Sequence, residues 1–203
     1  MGKHEELESL RKEIIEKGNL PLRECAKNLV FGKGNVEASI LFVGEAPGAN
    51  EDLQGFPFVG AAGKNLDKLL ASVGLSLDEV YIANILKYRP PENRAPLPEE
   101  IKAHTPSLIE QIRILKPKVV CSLGNYATKF FLAGLKPEGM DEQPGITQLH
   151  GKARIIEFER LKFTLIPLFH PAAIIYNRKL IPLWEEDMEI VKNYLVSVDR
   201  SSS

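Results

Sequence analysis

Three polar side chains lie at the ends of short apolar segments of the chain, namely Glu45, Asn84 and His170. Segments of this kind are typical of buried strands. In open α/β sheets, ligands bind beyond the carboxyl ends of the strands. We therefore expect the carboxylate, the amide and the imidazole to share one rim of a sheet. An amide there can accept and donate hydrogen bonds, and an imidazole can stabilise developing negative charge.

The first of these segments opens residues 40–63. Four apolar residues predict a short strand, and the glycines and prolines that follow predict a long, sharply turned loop. This loop carries Glu45, Glu51 and Phe58. Taken singly, these residues have simpler interpretations, because glycines and prolines mark turns in general and a phenylalanine is most often a core residue. Asn84 is likewise more often a capping or turn residue than a ligand-binding one.

Composition indicates an ordinary globular protein. The 203 residues are 44% hydrophobic with a net charge of −1, which predicts one domain over residues 1–200 and a flexible tail at 201–203. Overall charge gives no drive towards nucleic acid, so phosphate binding would need local donors. Cys25 and Cys121 lack CxxC spacing and the N-terminus is charged. We therefore expect a cytoplasmic protein without a signal peptide, membrane span or disulfide framework.

Strand and helix patterns alternate along the chain. Predicted strands cover residues 39–43, 80–85, 118–123, 153–158 and 162–168. Predicted helices cover residues 5–17, 66–73, 98–115, 124–132 and 183–195. Residues 90–98, with four prolines, are expected to be irregular. The alternation favours an α/β fold with a mostly parallel sheet covered on both faces.

Three motifs, taken together, make the simpler interpretations less favoured. GEAPGANEDLQGFPFVGAAG at residues 44–63, YIANILKYRPPENRAPLPEE at 81–100 and LFHPAAII at 168–175 together resemble the family 4 uracil-DNA glycosylases. The resemblance spans about residues 25–184. It implies a three-layer sandwich around a central, mostly parallel four-stranded sheet. It also implies a monomeric, monofunctional enzyme that excises uracil from single- or double-stranded DNA in base excision repair.

The resemblance also assigns roles to residues of the pocket. Phe58 would stack on the flipped base, Asn84 would bind the uracil edge, and His170 would contact O2. Glu51 would lie near C5, where it disfavours the methyl group of thymine. The amide suits uracil, because its carbonyl can accept from N3–H while its NH₂ donates to O4, and cytosine mismatches both contacts. The backbone around Gly44 would complete the pocket.

The group that positions the attacking water is left open by the resemblance. Other branches of the superfamily have an aspartate or asparagine in the first loop where this chain has Ala46. Glu45 and Asn93 are both candidates for that task, and we count Glu45 with Asn84 and His170 as catalytic. The expected DNA contacts are Arg89, Arg94, Ala172, Tyr176 and Arg178.

The chain departs from the family at the positions that usually hold a four-iron, four-sulfur cluster. The four matching positions are Cys25, Asn28, Tyr88 and His104, so only one thiol is present. Four thiolates are the usual requirement. We therefore predict no iron–sulfur cluster, no metal and no nucleotide cofactor.

Other functions remain open at this stage. The fold could serve a glycosylase for another deaminated base, such as hypoxanthine or xanthine, or an inactive DNA-binding relative. A generic phosphate-binding α/β protein is a further possibility, but it would need neither Phe58 nor His170.

Overall fold

The computed structural model describes residues 2–200, with the side chains up to residue 195. Its centre is a six-stranded sheet of order β1-β3-β2-β4-β6-β5. The strands are β1 (Lys33–Gly34), β2 (Ile40–Gly44), β3 (Val80–Asn84), β4 (Val119–Leu123), β5 (Arg154–Phe158) and β6 (Leu161–Leu168). The neighbours β3, β2, β4 and β6 are parallel, and the edge strands β1 and β5 pair antiparallel.

Helices cover both faces of this sheet. They are α1 (Lys3–Lys17), α2 (Ala49–Gln54), α3 (Ala61–Ser72), α4 (Pro98–Leu115), α5 (Gly124–Leu132), α6 (Ile146–Leu149), α7 (Ala173–Tyr176) and α8 (Ile181–Arg200). Helices α1, α4 and α5 contribute to the apolar cluster that contains Leu41 and Val43. Helices α3 and α8 contribute to the cluster that contains Ile40 and Phe42. Successive β2 residues thus point to opposite faces and both faces are buried, which explains the unbroken apolar run.

The α/β class and the mostly parallel sheet are confirmed. The expected count of four strands needs correction, because the four parallel strands form the centre and two antiparallel strands extend it to six. Strand β1 has only two residues, too few to show a period in the sequence. Residues 153–158 were expected as a strand, and Arg154–Phe158 form the opposite edge.

The loop expected at residues 45–63 needs correction too, since it contains the six-residue helix α2. Gly48 precedes this helix, and Gly55 ends it with a φ of 77°. The glycines and prolines that predicted a loop therefore delimit a short helix. A 3₁₀ turn, Pro91–Asn93, similarly interrupts the stretch expected to be irregular.

Two predictions on chain organisation are not decided by these elements. The tail at 201–203 lies outside the described residues, and the single domain over 1–200 stays a prediction. Among the described residues, no helix combines the length and apolar character needed to cross a bilayer.

Candidate active site

A pocket of about 400 Å³ opens at the carboxyl ends of β2, β3 and β6. It brings together most of the residues predicted from the motifs. Those lining it are Glu45, Ala46, Glu51, Phe58, Asn84, Asn93, Arg94, His170, Ala172 and Tyr176. Parallel strands explain this convergence, because their carboxyl ends all meet at one edge of the sheet.

Asn84, the last residue of β3, lies in the pocket wall with 2% of its surface exposed. Its side-chain oxygen Oδ1 is buried and has no hydrogen-bond partner among the described residues. An unsatisfied buried acceptor costs about 1–3 kcal/mol. The pocket therefore presents an acceptor that a ligand N–H group can satisfy.

Gly44 pairs with Asn84 in the sheet register and leaves the room that the amide needs. A Cβ atom at this position would lie 2.4 Å from Asn84 Oδ1 and 2.7 Å from Cζ of Phe58. Both distances are below van der Waals contact. Gly44 is thus required because two pocket side chains approach its backbone closely.

The rings of Phe58 and His170 both line the pocket and pack against each other, with centroids 5.8 Å apart and planes inclined by 33°. Phe58 also packs in the apolar cluster beneath the pocket and is 6% exposed. It therefore belongs to the core and lines the pocket. Its φ of 52° lies in the left-handed region, which bulky residues seldom adopt.

Two side chains hold the backbone around Phe58 in this conformation. Oε1 of Glu51 accepts hydrogen bonds from the amides of Val59 at 2.9 Å and Gly60 at 2.8 Å. Nζ of Lys33 donates to the carbonyl of Phe58 at 3.0 Å. The sequence motifs pointed to Glu51, but they gave no signal for Lys33, which lies on the edge strand β1.

The protonation of His170 follows from one hydrogen bond. Its Nδ1 accepts from the backbone amide of Ala172 at 3.2 Å, so in the neutral ring the proton is on Nε2. Removal from solvent lowers the pKa of His170 to about 4, and the nearby Glu51 carboxylate opposes this shift. At neutral pH the ring is therefore an uncharged Nε2–H donor. The indole of Trp184 donates to the carbonyl of Phe169 at 2.8 Å and anchors the preceding residue.

The two candidates for holding water, Asn93 and Glu45, differ in their hydrogen bonding. Oδ1 of Asn93 accepts from Nε of Arg89 at 2.7 Å. The Glu45 carboxylate accepts no hydrogen bond from the described residues, and burial raises its pKa. A carboxyl group with a raised pKa and free oxygens is suited to taking a proton from water.

Some of the residues predicted to contact DNA lie at the pocket mouth, and others do not. Tyr176 is 89% exposed at the pocket mouth, and Arg178 is exposed two residues further on. Arg94 also reaches the mouth, but its guanidinium forms a two-pronged ion pair with Glu100. Arg89 does not line the pocket, and its Nε donates to Oδ1 of Asn93.

The four positions that match the cluster ligands do not fit an iron–sulfur group. His104 is buried, with Nδ1 accepting from the Lys87 amide at 3.0 Å and Nε2 facing the Pro21 carbonyl at 3.1 Å. The Tyr88 ring packs edge-on against it, with centroids 6.2 Å apart. Asn28 donates to backbone carbonyls of α2, and Cys25 is exposed. Within the described residues, no group of three or more His, Cys, Asp or Glu side chains is arranged to hold a metal ion.

Comparisons with known proteins agree with the fold. A family model described as the uracil DNA glycosylase superfamily matches residues 31–192. The chain is 40% identical to the type-4 uracil-DNA glycosylase of Archaeoglobus fulgidus, over 91% of either chain. It is 38% identical to that of Sulfurisphaera tokodaii, over 96% of this chain and 87% of the relative. For the Thermotoga maritima enzyme the identity is 39%, over 96% and 98%. The chain therefore belongs to the type-4 uracil-DNA glycosylase family.

Proposed function

We propose that this protein is a monofunctional DNA glycosylase that hydrolyses the N-glycosidic bond of a flipped-out deoxyuridine. The observation that carries the proposal is the buried, unpaired Oδ1 of Asn84 beside the Phe58 ring and the His170 donor. A base must leave the duplex to reach such a pocket, and stacking with edge hydrogen bonds then selects it.

Recognition of uracil rests on the amide of Asn84. Its Oδ1 accepts from N3–H of uracil and its NH₂ group donates to O4. Cytosine presents an acceptor at N3 and a donor at C4, so both contacts would be lost. Glu51 contributes by fixing Phe58, and in our proposal its carboxylate also disfavours a methyl group at C5.

Bond cleavage leaves negative charge on the departing uracil. The neutral Nε2–H group of His170 donates to O2 and stabilises this anion without losing its proton. Electrostatic donors of this kind are worth about 3 kcal/mol each in other enzymes. A water held by Glu45 attacks C1′, its proton passes to the carboxylate, and an abasic site is left in the DNA.

DNA binding in this proposal uses the mouth of the pocket. Tyr176 would stack or wedge beside the lesion, and Arg178, Arg89 and Arg94 would contact phosphates. The 26 lysines and arginines are offset by 27 aspartates and glutamates, so attraction to DNA would be local rather than general.

We further propose that the enzyme works as a monomer without an iron–sulfur cluster. The support is the hydrogen bonding that engages Asn28 and His104 and the absence of three of the four thiols. Purified protein is expected to be colourless, with no broad visible absorbance and no iron by elemental analysis. Four irons per chain would overturn this part of the proposal.

The activity is tested on oligonucleotides with uracil opposite guanine, uracil opposite adenine, single-stranded uracil, thymine opposite guanine, and hypoxanthine. Alkali-sensitive sites are expected with uracil and not with thymine. Preference for hypoxanthine would favour a glycosylase for another deaminated base. Binding without cleavage of any substrate would favour an inactive DNA-binding relative.

A further inference from the structure

Lys87 lies three residues beyond Asn84, and its whole side chain is buried. Its Nζ donates to the backbone carbonyl of Asn84 at 2.7 Å and to Oε1 of Gln111 in α4. We propose that Lys87 is a positioning residue that fixes the Asn84 amide in the pocket by holding its backbone from behind. Only the expected effect on catalysis rests on the proposed function, and the positioning of Asn84 does not.

The Asn84 carbonyl lies at the end of β3, where the regular hydrogen bonding of the sheet ends. The next two amides, of Ile85 and Leu86, donate to the carbonyls of Gly44 and Glu45 at 3.0 Å each. These bonds tie the chain after Asn84 to the first pocket loop. Nζ of Lys87 then donates to the Asn84 carbonyl, at the other edge of the peptide whose N–H group bonds to Gly44. The peptide that carries the amide is therefore restrained on both of its sides.

Lys87 is itself restrained at every polar group that the structure describes. Its amide donates to Nδ1 of His104 at 3.0 Å, and its carbonyl accepts from the amide of Val30 at 2.9 Å. Gln111, which accepts from Nζ, donates in turn to the carbonyl of Phe31 at 3.0 Å. The ammonium cannot shift without breaking bonds to several segments, so it serves as a fixed point for Asn84.

Burying a charged lysine costs folding free energy. Burial lowers the pKa of Lys87 to about 7, because the interior disfavours the charged form. An apolar residue of similar size is often no worse for stability than a buried charge. The stability argument alone thus gives no reason for an amine here. A need to hold a pocket residue in one orientation does give such a reason.

Lys87→Met tests the inference, since it keeps most of the length of the side chain and removes the donor. The matched control is Thr105→Val, which deletes a buried hydrogen bond within α4, from Oγ1 to the Ile101 carbonyl at 2.7 Å, and leaves both bonds of Nζ in place. Two readouts are compared in folded protein. The first readout is the single-turnover rate of uracil excision, which is compared with the affinity of the same variant for uracil-containing DNA. The other is the side-chain amide signal of Asn84 in ¹⁵N-asparagine-labelled protein, assigned by its loss in Asn84→Asp.

We expect Lys87→Met to lower the single-turnover rate on the order of 10- to 100-fold, as for small misplacements of a binding group. DNA affinity should change much less, and the Asn84 amide signal should shift or broaden. Thr105→Val should keep most of the rate and leave that signal in place, because both bonds of Nζ remain. Equal losses in the two variants, or an unchanged Asn84 signal in Lys87→Met, would overturn the inference.

Two further outcomes remain decisive. If wild-type protein cleaves no uracil substrate, the proposed function fails, and the amide signal still decides whether Lys87 positions Asn84. If Lys87→Met does not fold, Lys87→Arg takes its place, because it keeps charged donors but displaces them. That variant should fold, with a shifted Asn84 signal and an intermediate rate. Wild-type values for both would overturn the inference.

Discussion

Nζ of Lys33 lies 3.0 Å from the carbonyl oxygen of Phe58. The bond connects the edge strand β1 to the aromatic wall of the pocket, at a residue whose φ of 52° is strained for a phenylalanine. Burial lowers the pKa of Lys33, and the carboxylates of Asp67 and Glu51 oppose that shift. The orientation of Phe58 therefore depends on a strand far from it in sequence.

Lys33→Met should slow uracil excision by about fivefold, because a hydrogen bond of this kind is worth about 1 kcal/mol. The measurement is the single-turnover rate at saturating enzyme. Lys68→Met on α3 is the control, since Lys68 is exposed and away from Phe58. Equal rates for the two variants would mean that Glu51 holds the Phe58 backbone without help.

Gly44→Ala should abolish most uracil excision while the fold survives. The added methyl group would meet Asn84 Oδ1 at 2.4 Å and the Phe58 ring at 2.7 Å, so the pocket must lose either the amide or the ring position. Binding of free uracil, followed by calorimetry, should be lost together with activity. Gly145→Ala is a suitable control, because a Cβ there meets only Asn125 at an ordinary 3.6 Å. Retained uracil binding in Gly44→Ala would contradict this account of the pocket.

Acid should destabilise the protein through His104. Burial lowers the pKa of this residue to about 4, so the unfolded chain binds more protons than the folded one between about pH 4 and 6.5. Stability therefore rises with pH across this window and is lost as pH falls. His104 alone should remove about 2 kcal/mol of unfolding free energy between pH 7 and pH 5.

His104→Gln should remove its share of this dependence, since a neutral amide can accept from Lys87 and donate to Pro21 at any pH. The share due to His170, whose pKa burial also lowers to about 4, should remain. The measurement is denaturant unfolding at the two pH values. His4→Gln, at an exposed histidine, should keep the wild-type dependence. An unchanged slope in His104→Gln would show that folding does not lower the pKa of this histidine.

Much of this architecture follows from local patterns. Helices α4 and α5 and the start of β3 match their predicted limits, because apolar spacing marks each of them and Pro98 opens α4. The convergence of Glu45, Asn84 and His170 follows from the parallel order of the strands. The roles assigned to these side chains stay predictions until activity is measured.

What the sequence did not reveal depends on contacts between distant segments. Lys33 acts on Phe58 from a strand of two residues, which has no readable period. Lys87 was visible only as a lysine within a motif, because its partner Gln111 is 24 positions away. Helix α2 was hidden by its flanking glycines. Tertiary hydrogen bonds of this kind leave no local signal.

Glu45→Gln decides which group prepares the attacking water. The variant keeps the size of the side chain and cannot take a proton, so the single-turnover rate should fall on the order of 100-fold. Burial raises the pKa of Glu45, so the wild-type rate should fall as pH drops through that raised value. The residual rate of Glu45→Gln should lack this acid limb. His170 adds no inflection near pH 6.5, because its pKa of about 4 keeps it neutral there. If Asn93→Ala slows the reaction more than Glu45→Gln does, the water is held by Asn93 instead.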